Sequence, residues 1–222
     1  MIFDLSPPNP LLPSQAATST LTSTVPFSES ASQLQTLIKT DLLKATDLKN
    51  APEKFFEAHR ILARHAVEHG PGFWIRFTVH YNLCMGTILA VGSDSQIAQL
   101  SSYQAAGDLG CFSLTEKLAG VQSGLVVQTT CTYDPTTETF NLHTPTPSAR
   151  KNWISQGFTA TKSVVMADLI VSGESKGPHA FVMDFRNDGK LVDGVTAEDM
   201  GKKTVGNDLD NAWIRLVASS FS

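Results

Sequence analysis

The hydrophobic pattern of this chain changes period once, near Gly107 and Gly110. Before that point apolar residues recur at helical spacing; after it they alternate. A pattern written for a helix cannot serve as a strand, because side chains on a helix return every 3.6 residues and on a strand every second residue. Helices followed by strands, rather than the two interleaved, describe an α+β fold. The expected architecture is an amino-terminal helical domain followed by an antiparallel, β-barrel-like domain.

In the helical half, Leu34, Leu37, Leu42 and Leu43 form an approximate stripe from Ser32 onward. Asn50 and Pro52 read as a helix start, with Asn50 as the cap and Pro52 in the first turn. Phe55, Phe56, His59, Leu62 and Ala66 continue it, and Gly70-Pro71-Gly72 ends it. Residues 73–92 are apolar on more than one face, which predicts a helix packed on several sides. Ser93 or Asp94 caps a fourth helix, Gln96–Ala106. In the second half, the alternation through Val127, Thr129, Cys131 and Tyr133 reads as a strand. The turn Asp134-Pro135-Thr136-Thr137 returns it through 138–142. Further strands are expected at 163–170, 180–184, 191–197 and 211–217. The expected organisation is a flexible or extended Pro- and Ser-rich arm over 1–30, helices over 31–107, β structure over 108–217 and a tail over 218–222.

The net charge of −4, with no long basic run, gives no electrostatic footprint for nucleic acid. The longest apolar region, Tyr81–Val91, is too short to cross a bilayer, so no membrane span is expected. The amino terminus does not read as a secretory signal, and the last residues are not a Ser-Lys-Leu address. Cys84, Cys111 and Cys131 lack metal-ligand spacing and read as core thiols of a reducing compartment. His65-Ala66-Val67-Glu68-His69 has the H-x-x-E-H pattern of one class of zinc peptidases, with both histidines on one helix face. It runs directly into Gly70-Pro71-Gly72 with no third ligand to single out, so a solvated last turn is the expectation and no metal is assigned. Asp208 and Asp210 are expected to serve structural hydrogen bonding.

Five blocks stand in order along the chain. They are Gly110-Cys111-Phe112-Ser113-Leu114-Thr115-Glu116; the turn Thr132-Tyr133-Asp134-Pro135 with Phe140-Asn141-Leu142-His143-Thr144-Pro145; Lys151-Asn152-Trp153; Gly177-Pro178-His179-Ala180-Phe181-Val182; and Gly206-Asn207-Asp208-Leu209-Asp210-Asn211. As an ordered set they resemble the amino-terminal and middle domains of the acyl-CoA oxidase and acyl-CoA dehydrogenase superfamily, on the oxidase side, over residues 51–214. The resemblance implies FAD-dependent oxidation of an acyl-CoA to the trans-2-enoyl-CoA, as in fatty-acid β-oxidation, with oxygen as the acceptor. An acyl-CoA dehydrogenase-like enzyme, or a non-catalytic fragment binding flavin or acyl-CoA, is the alternative. Trp153 favours dehydrogenase-like shielding of the flavin; Cys111 and the Thr-Tyr-Asp-Pro turn favour the oxidase.

The resemblance further implies FAD contacts from Phe112, Leu114, Thr115, Gly120, Trp153 and Ser155, and acyl-CoA contacts from Val121, Gln122 and Ser123. Backbone amides and hydroxyls suit a ring edged with hydrogen-bonding atoms, while aromatic surface keeps water from it. The family's base is a glutamate of a carboxy-terminal helical bundle. No catalytic base is therefore expected among these residues, and Glu116 matches a structural position. A homodimer or pairing with a full-length homologue is implied by resemblance alone, as is a peroxisomal location; with no address in the sequence, a cytoplasmic one stays open.

Overall fold

The computed structural model describes residues 25–118, 127–217 and 219–221. Helix α1 runs Phe27–Lys39, earlier than the arm boundary expected at residue 30. Its inner face buries Ala31, Leu34 and Ile38. The short α2 is Asp47–Asn50, and α3 is Pro52–His69. Asn50 closes α2 rather than capping α3; the cap residue is Ala51, which offers no side-chain hydrogen bond. Proline at the first position supplies the start instead, because its missing N–H would be unpaired there in any case.

The apolar stretch after Gly70 is one helical rod with a change of pitch inside it. Helix α4 spans Pro71–Thr78, a π-helical segment spans Val79–Met85, and α5 spans Gly86–Val91. The rod buries Phe73, Phe77, Tyr81, Met85, Ile88 and Leu89, as expected of a helix packed on several sides. Helix α6, Asp94–Ala106, begins with a capping box. The Ser93 hydroxyl accepts from the Gln96 N–H, and the Gln96 side chain accepts from the Ser93 N–H at 2.9 Å.

The β half starts with β1 (Gly110–Ser113), β2 (Thr130–Asp134), β3 (Thr139–His143) and β4 (Lys151–Ser155). Then come the long strands β5 (Lys162–Val171) and β6 (Glu174–Asp184), and the short pair β7 (Arg186–Asn187) and β8 (Lys190–Leu191). The last strands are β9 (Val195–Asp199), β10 (Asn211–Leu216) and β11 (Ser219–Phe221). One sheet has the order β1-β5-β2-β3-β11, with β6 on β5; a three-stranded sheet has the order β4-β10-β9. The first sheet is mixed, not purely antiparallel: β5 runs parallel to β1 through its first half and parallel to β2 through its second. The stretch expected to be a tail over 218–222 instead supplies β11, which pairs with β3 and sets Phe221 against Phe140 at 5.9 Å between ring centres.

The two halves share a core. Leu34, Ile38, Phe55, Phe77 and Tyr81 from the helices lie in one buried cluster with Cys111, Ile154, Val165, Ala212 and Ile214 from the sheets and with Leu109 just before β1. Burying each such large side chain stabilises the fold by about 1.5–3 kcal/mol. β1 lies directly against the π segment. Gly110 approaches so closely that a Cβ there would stand 2.4 Å from the Cys84 sulfur, and the Gly110 N–H donates to Nδ1 of His80 at 3.1 Å.

Candidate functional site: the β4 wall

The strand β4 departs from strict alternation. Its residues read buried, half-buried, exposed, buried, half-buried from Lys151 to Ser155. The cause is a bulge against β10. Ala212 pairs with Ile154 and Ile214 with Lys151, so Asn152 and Trp153 together oppose Trp213. Two consecutive side chains therefore leave the core side while Lys151 and Ile154 both stay on it. Trp153 takes φ = 60°, a conformation that costs a bulky residue of order 1–3 kcal/mol, and the residue is 56% exposed.

Around Trp153 the outer face carries polar partners that the sequence did not single out. Asn152 accepts from the Trp213 indole N–H at 2.5 Å, and the Ser155 hydroxyl accepts from Asn211 Nδ2 at 3.1 Å. Accepting leaves the Ser155 O–H proton available to a further acceptor. The Arg150 guanidinium lies over the Trp213 ring, 4.4 Å from its centre, and pairs with Glu198 at 2.9 Å. The bulge that brings these groups to one face depends on the pairing of two distant segments, and no local pattern announces it.

The segment leaving β1 forms the second wall. Asn152 N–H donates to the carbonyl of Thr115 at 2.7 Å, and Lys117 N–H to that of Arg150 at 3.0 Å. Leu114 and Thr115 are thus held beside β4, Thr115 exposed and Leu114 half-buried. The Phe112 ring is half-buried and packs against the cluster of Cys84, Met85, Leu100 and Val164. So five of the residues expected to face FAD, namely Phe112, Leu114, Thr115, Trp153 and Ser155, lie on two segments that the backbone joins. Gly120, and the expected acyl-CoA contacts Val121, Gln122 and Ser123, lie outside the described residues.

Beneath these walls sit two ion pairs from which water is excluded. Lys151 and Glu116 are each fully buried, 2.9 Å apart. The Lys151 ammonium has three protons and three acceptors: Glu116 Oε1, the Leu114 carbonyl at 3.2 Å and the Met166 carbonyl at 2.7 Å. The Glu116 carboxylate also accepts from the backbone N–H groups of Gln128 and Thr129 and from the Thr129 hydroxyl. Burial holds the Lys151 pKa down to about 8, although Glu116 pulls it upward. The hydrogen bonds of the Glu116 carboxylate among the described residues all lie in this anchor.

The second pair is Arg76 with Asp210, at 2.8 Å. Arg76 also donates to the Asp208 and Phe27 carbonyls, to Ser30, to Thr159 and to the Gln156 side chain. Asp208 accepts from the Gly72 N–H at the start of α4. Both aspartates do the structural hydrogen bonding expected of them. On α3, His65 contacts Glu68 at 3.1 Å and the His69 ring lies 5.2 Å from that of Phe73. Among the described residues no cluster of three or more metal-ligating side chains occurs, and no helix is long and apolar enough to cross a membrane.

No family model matches the chain. Among curated proteins it is 40% identical over 153 residues to acyl-coenzyme A oxidase 2 of Yarrowia lipolytica, a match covering 65% of this chain and 21% of that protein. It is 34% identical over 142 residues to human peroxisomal acyl-coenzyme A oxidase 3, covering 62% and 20%. Among solved structures, acyl-CoA oxidase-1 of Caenorhabditis elegans, complexed with FAD and ATP, superposes with a TM-score of 0.69 at 26% identity, covering 93% of this chain and 32% of that one. Acyl-CoA oxidase 1 of Y. lipolytica gives 0.64 at 26% identity, covering 90% and 35%. The chain spans about a fifth of the length of the curated relatives it matches. In sequence and in backbone alike, the chain is acyl-CoA oxidase-like, on the scale of a segment of those proteins.

Proposed function

We propose that this chain carries the flavin-facing walls of an acyl-CoA oxidase, which converts an acyl-CoA to the trans-2-enoyl-CoA with FAD as cofactor and oxygen as acceptor. One observation carries the reading. A strained, outward-turned indole, Trp153, stands near a serine hydroxyl that accepts from Asn211 and beside the exposed Thr115, in a chain whose relatives are named acyl-CoA oxidases. This donor set fits a planar heteroaromatic ring edged with acceptors. FAD, when bound, supplies the two-electron acceptor of the reaction. The chain's own residues would orient it and exclude water: Trp153, Leu114 and Phe112 with apolar surface, Thr115 and Ser155 with hydroxyls, and Gly120 by close backbone approach.

Val121, Gln122 and Ser123 are the proposed contacts for the acyl-CoA thioester. The proton at the α-carbon would go to a glutamate supplied from outside these residues, because Glu116 is buried and fully engaged. A peroxisomal setting and pairing with a second copy accompany this reading; human acyl-coenzyme A oxidase 3 and mouse acyl-coenzyme A oxidase 2 are both named peroxisomal.

Titrating the chain into FAD tests the reading. The expected result is saturable quenching of flavin fluorescence, weakened by Trp153→Ala and by Ser155→Ala. Reversible uptake is expected rather than flavin retained through purification. No quenching, or quenching indifferent to both substitutions, would remove the ground for the proposal.

A further inference from the structure

Both walls converge on one atom. The Nζ of Lys151 binds the Leu114 carbonyl of the first wall while its own backbone begins β4, the second. It also binds Glu116 Oε1, whose carboxylate fixes Gln128 and Thr129. Two residues along, Trp153 holds a positive φ that an unsupported strand would relax. At the far end Gln156, also at positive φ (68°), is tied by its amide to the Gly110 carbonyl at 2.7 Å and to Arg76 at 3.3 Å. Its backbone N–H donates to the Asp210 carbonyl at 3.0 Å.

We infer that Lys151 is a positioning residue: its buried contacts with Leu114, Met166 and Glu116 set the gap between the walls and hold Trp153 in its outward, strained conformation. Lys151 itself is fully buried, so it acts through the groups it holds rather than on a ligand. A saturated ammonium suits this work, since each of its three protons has one acceptor and none is free to draw it elsewhere. The Gln156–Arg76 anchor keeps the other end of β4 from following any slack. The inference rests on the flavin reading only for its consequence, the fit of the ring between the walls.

Lys151→Met alone strands the Glu116 carboxylate without a counter-charge and is open to simple misfolding. The informative protein is the double variant Lys151→Met/Glu116→Gln, which removes both charges and keeps an acceptor for Thr129. Both it and the unaltered chain are labelled with 5-fluorotryptophan, and the three resonances (Trp74, Trp153, Trp213) are assigned by single Trp→Phe substitutions. The expected result is an unchanged Trp74 resonance, a thermal midpoint near that of the parent, a shifted and broadened Trp153 resonance, and FAD affinity lower by roughly tenfold. A Trp153 resonance that stays in place in the folded double variant overturns the inference, whatever the flavin does. An unaltered chain that takes up no FAD sinks the flavin reading alone, and the Trp153 resonance still decides this one.

Discussion

His80 shows how one residue can set a pH limit on the whole chain. Its Nδ1 accepts the Gly110 N–H, which fixes the neutral tautomer with the proton on Nε2. The ring is fully enclosed, and burial pushes its pKa down to about 3. The unfolded residue titrates near 6.5, so between those values the unfolded state binds the extra proton and the folded state does not. Stability from this group is whole above pH 6.5 and is lost as pH falls toward 3. His80→Asn keeps an acceptor for Gly110 but cannot titrate. Urea midpoints measured from pH 7 to pH 4 should fall less steeply in that variant than in the parent; parallel profiles would refute the assignment. Lys151 has the same sign of dependence in a higher window. Its folded pKa of about 8 lies below the 10.5 of a free lysine, so the folded state releases its proton first. Stability from that group therefore increases between those values, and Lys151→Met/Glu116→Gln should flatten that rise in alkaline urea titrations.

At the scale of elements, the helices could be read from spacing because each buries a stripe against its neighbours, a requirement written locally. A cap at Ser93 or Asp94 was also legible locally; Ser93 takes it, and the box with Gln96 is what the structure adds. The parallel pairings of β5 could not be read, since they join Gly110 to Lys162 and Thr130 to Asp168 across segments whose alternation looks the same in either direction. Trp153 and Ser155 were visible through resemblance, but the bulge that turns Trp153 outward was not. Lys151 and Arg76 were missed as well: a charged residue in an apolar pattern reads as an exposed one until its partners are known. The seam between β1 and the π segment offers a test. Gly110→Ala places a methyl group 2.4 Å from the Cys84 sulfur and 2.7 Å from its Cβ, and the overpacking should cost about 1–3 kcal/mol. Cys84→Ala in the same chain removes the sulfur and should restore part of the loss. A double variant no more stable than Gly110→Ala would place the strain elsewhere.

For the molecule as a whole, the shared core means that the helical and β halves stand or fall together. Arg76 is the polar counterpart of that core. It links α1, the rod and the β9–β10 and β4–β5 connections through Phe27, Ser30, Asp208, Asp210 and Thr159. Denaturation followed by far-UV circular dichroism, which weights the helices, and by tryptophan fluorescence, which weights β4 and β10, should give coincident transitions. Arg76→Met, which strands Asp210 in the interior, should lower the midpoint of both together, with a loss of about 3–5 kcal/mol. Separate transitions would mean that the two halves are independent.

The π segment of the rod bears on how the gene can change. A wide turn accommodates one residue more than an α-helix would use over the same path. Dropping one codon between Phe77 and Gly86 would therefore tighten the turn to α and leave the rod beyond it near its present orientation. Met85, Ile88 and Leu89 would keep the cluster they fill with Val164 and Leu100. What the extra residue sets is the width of the turn itself, where His80 and Cys84 meet Gly110. A lineage that lost it would keep the rod and lose the seam on which this sheet docks.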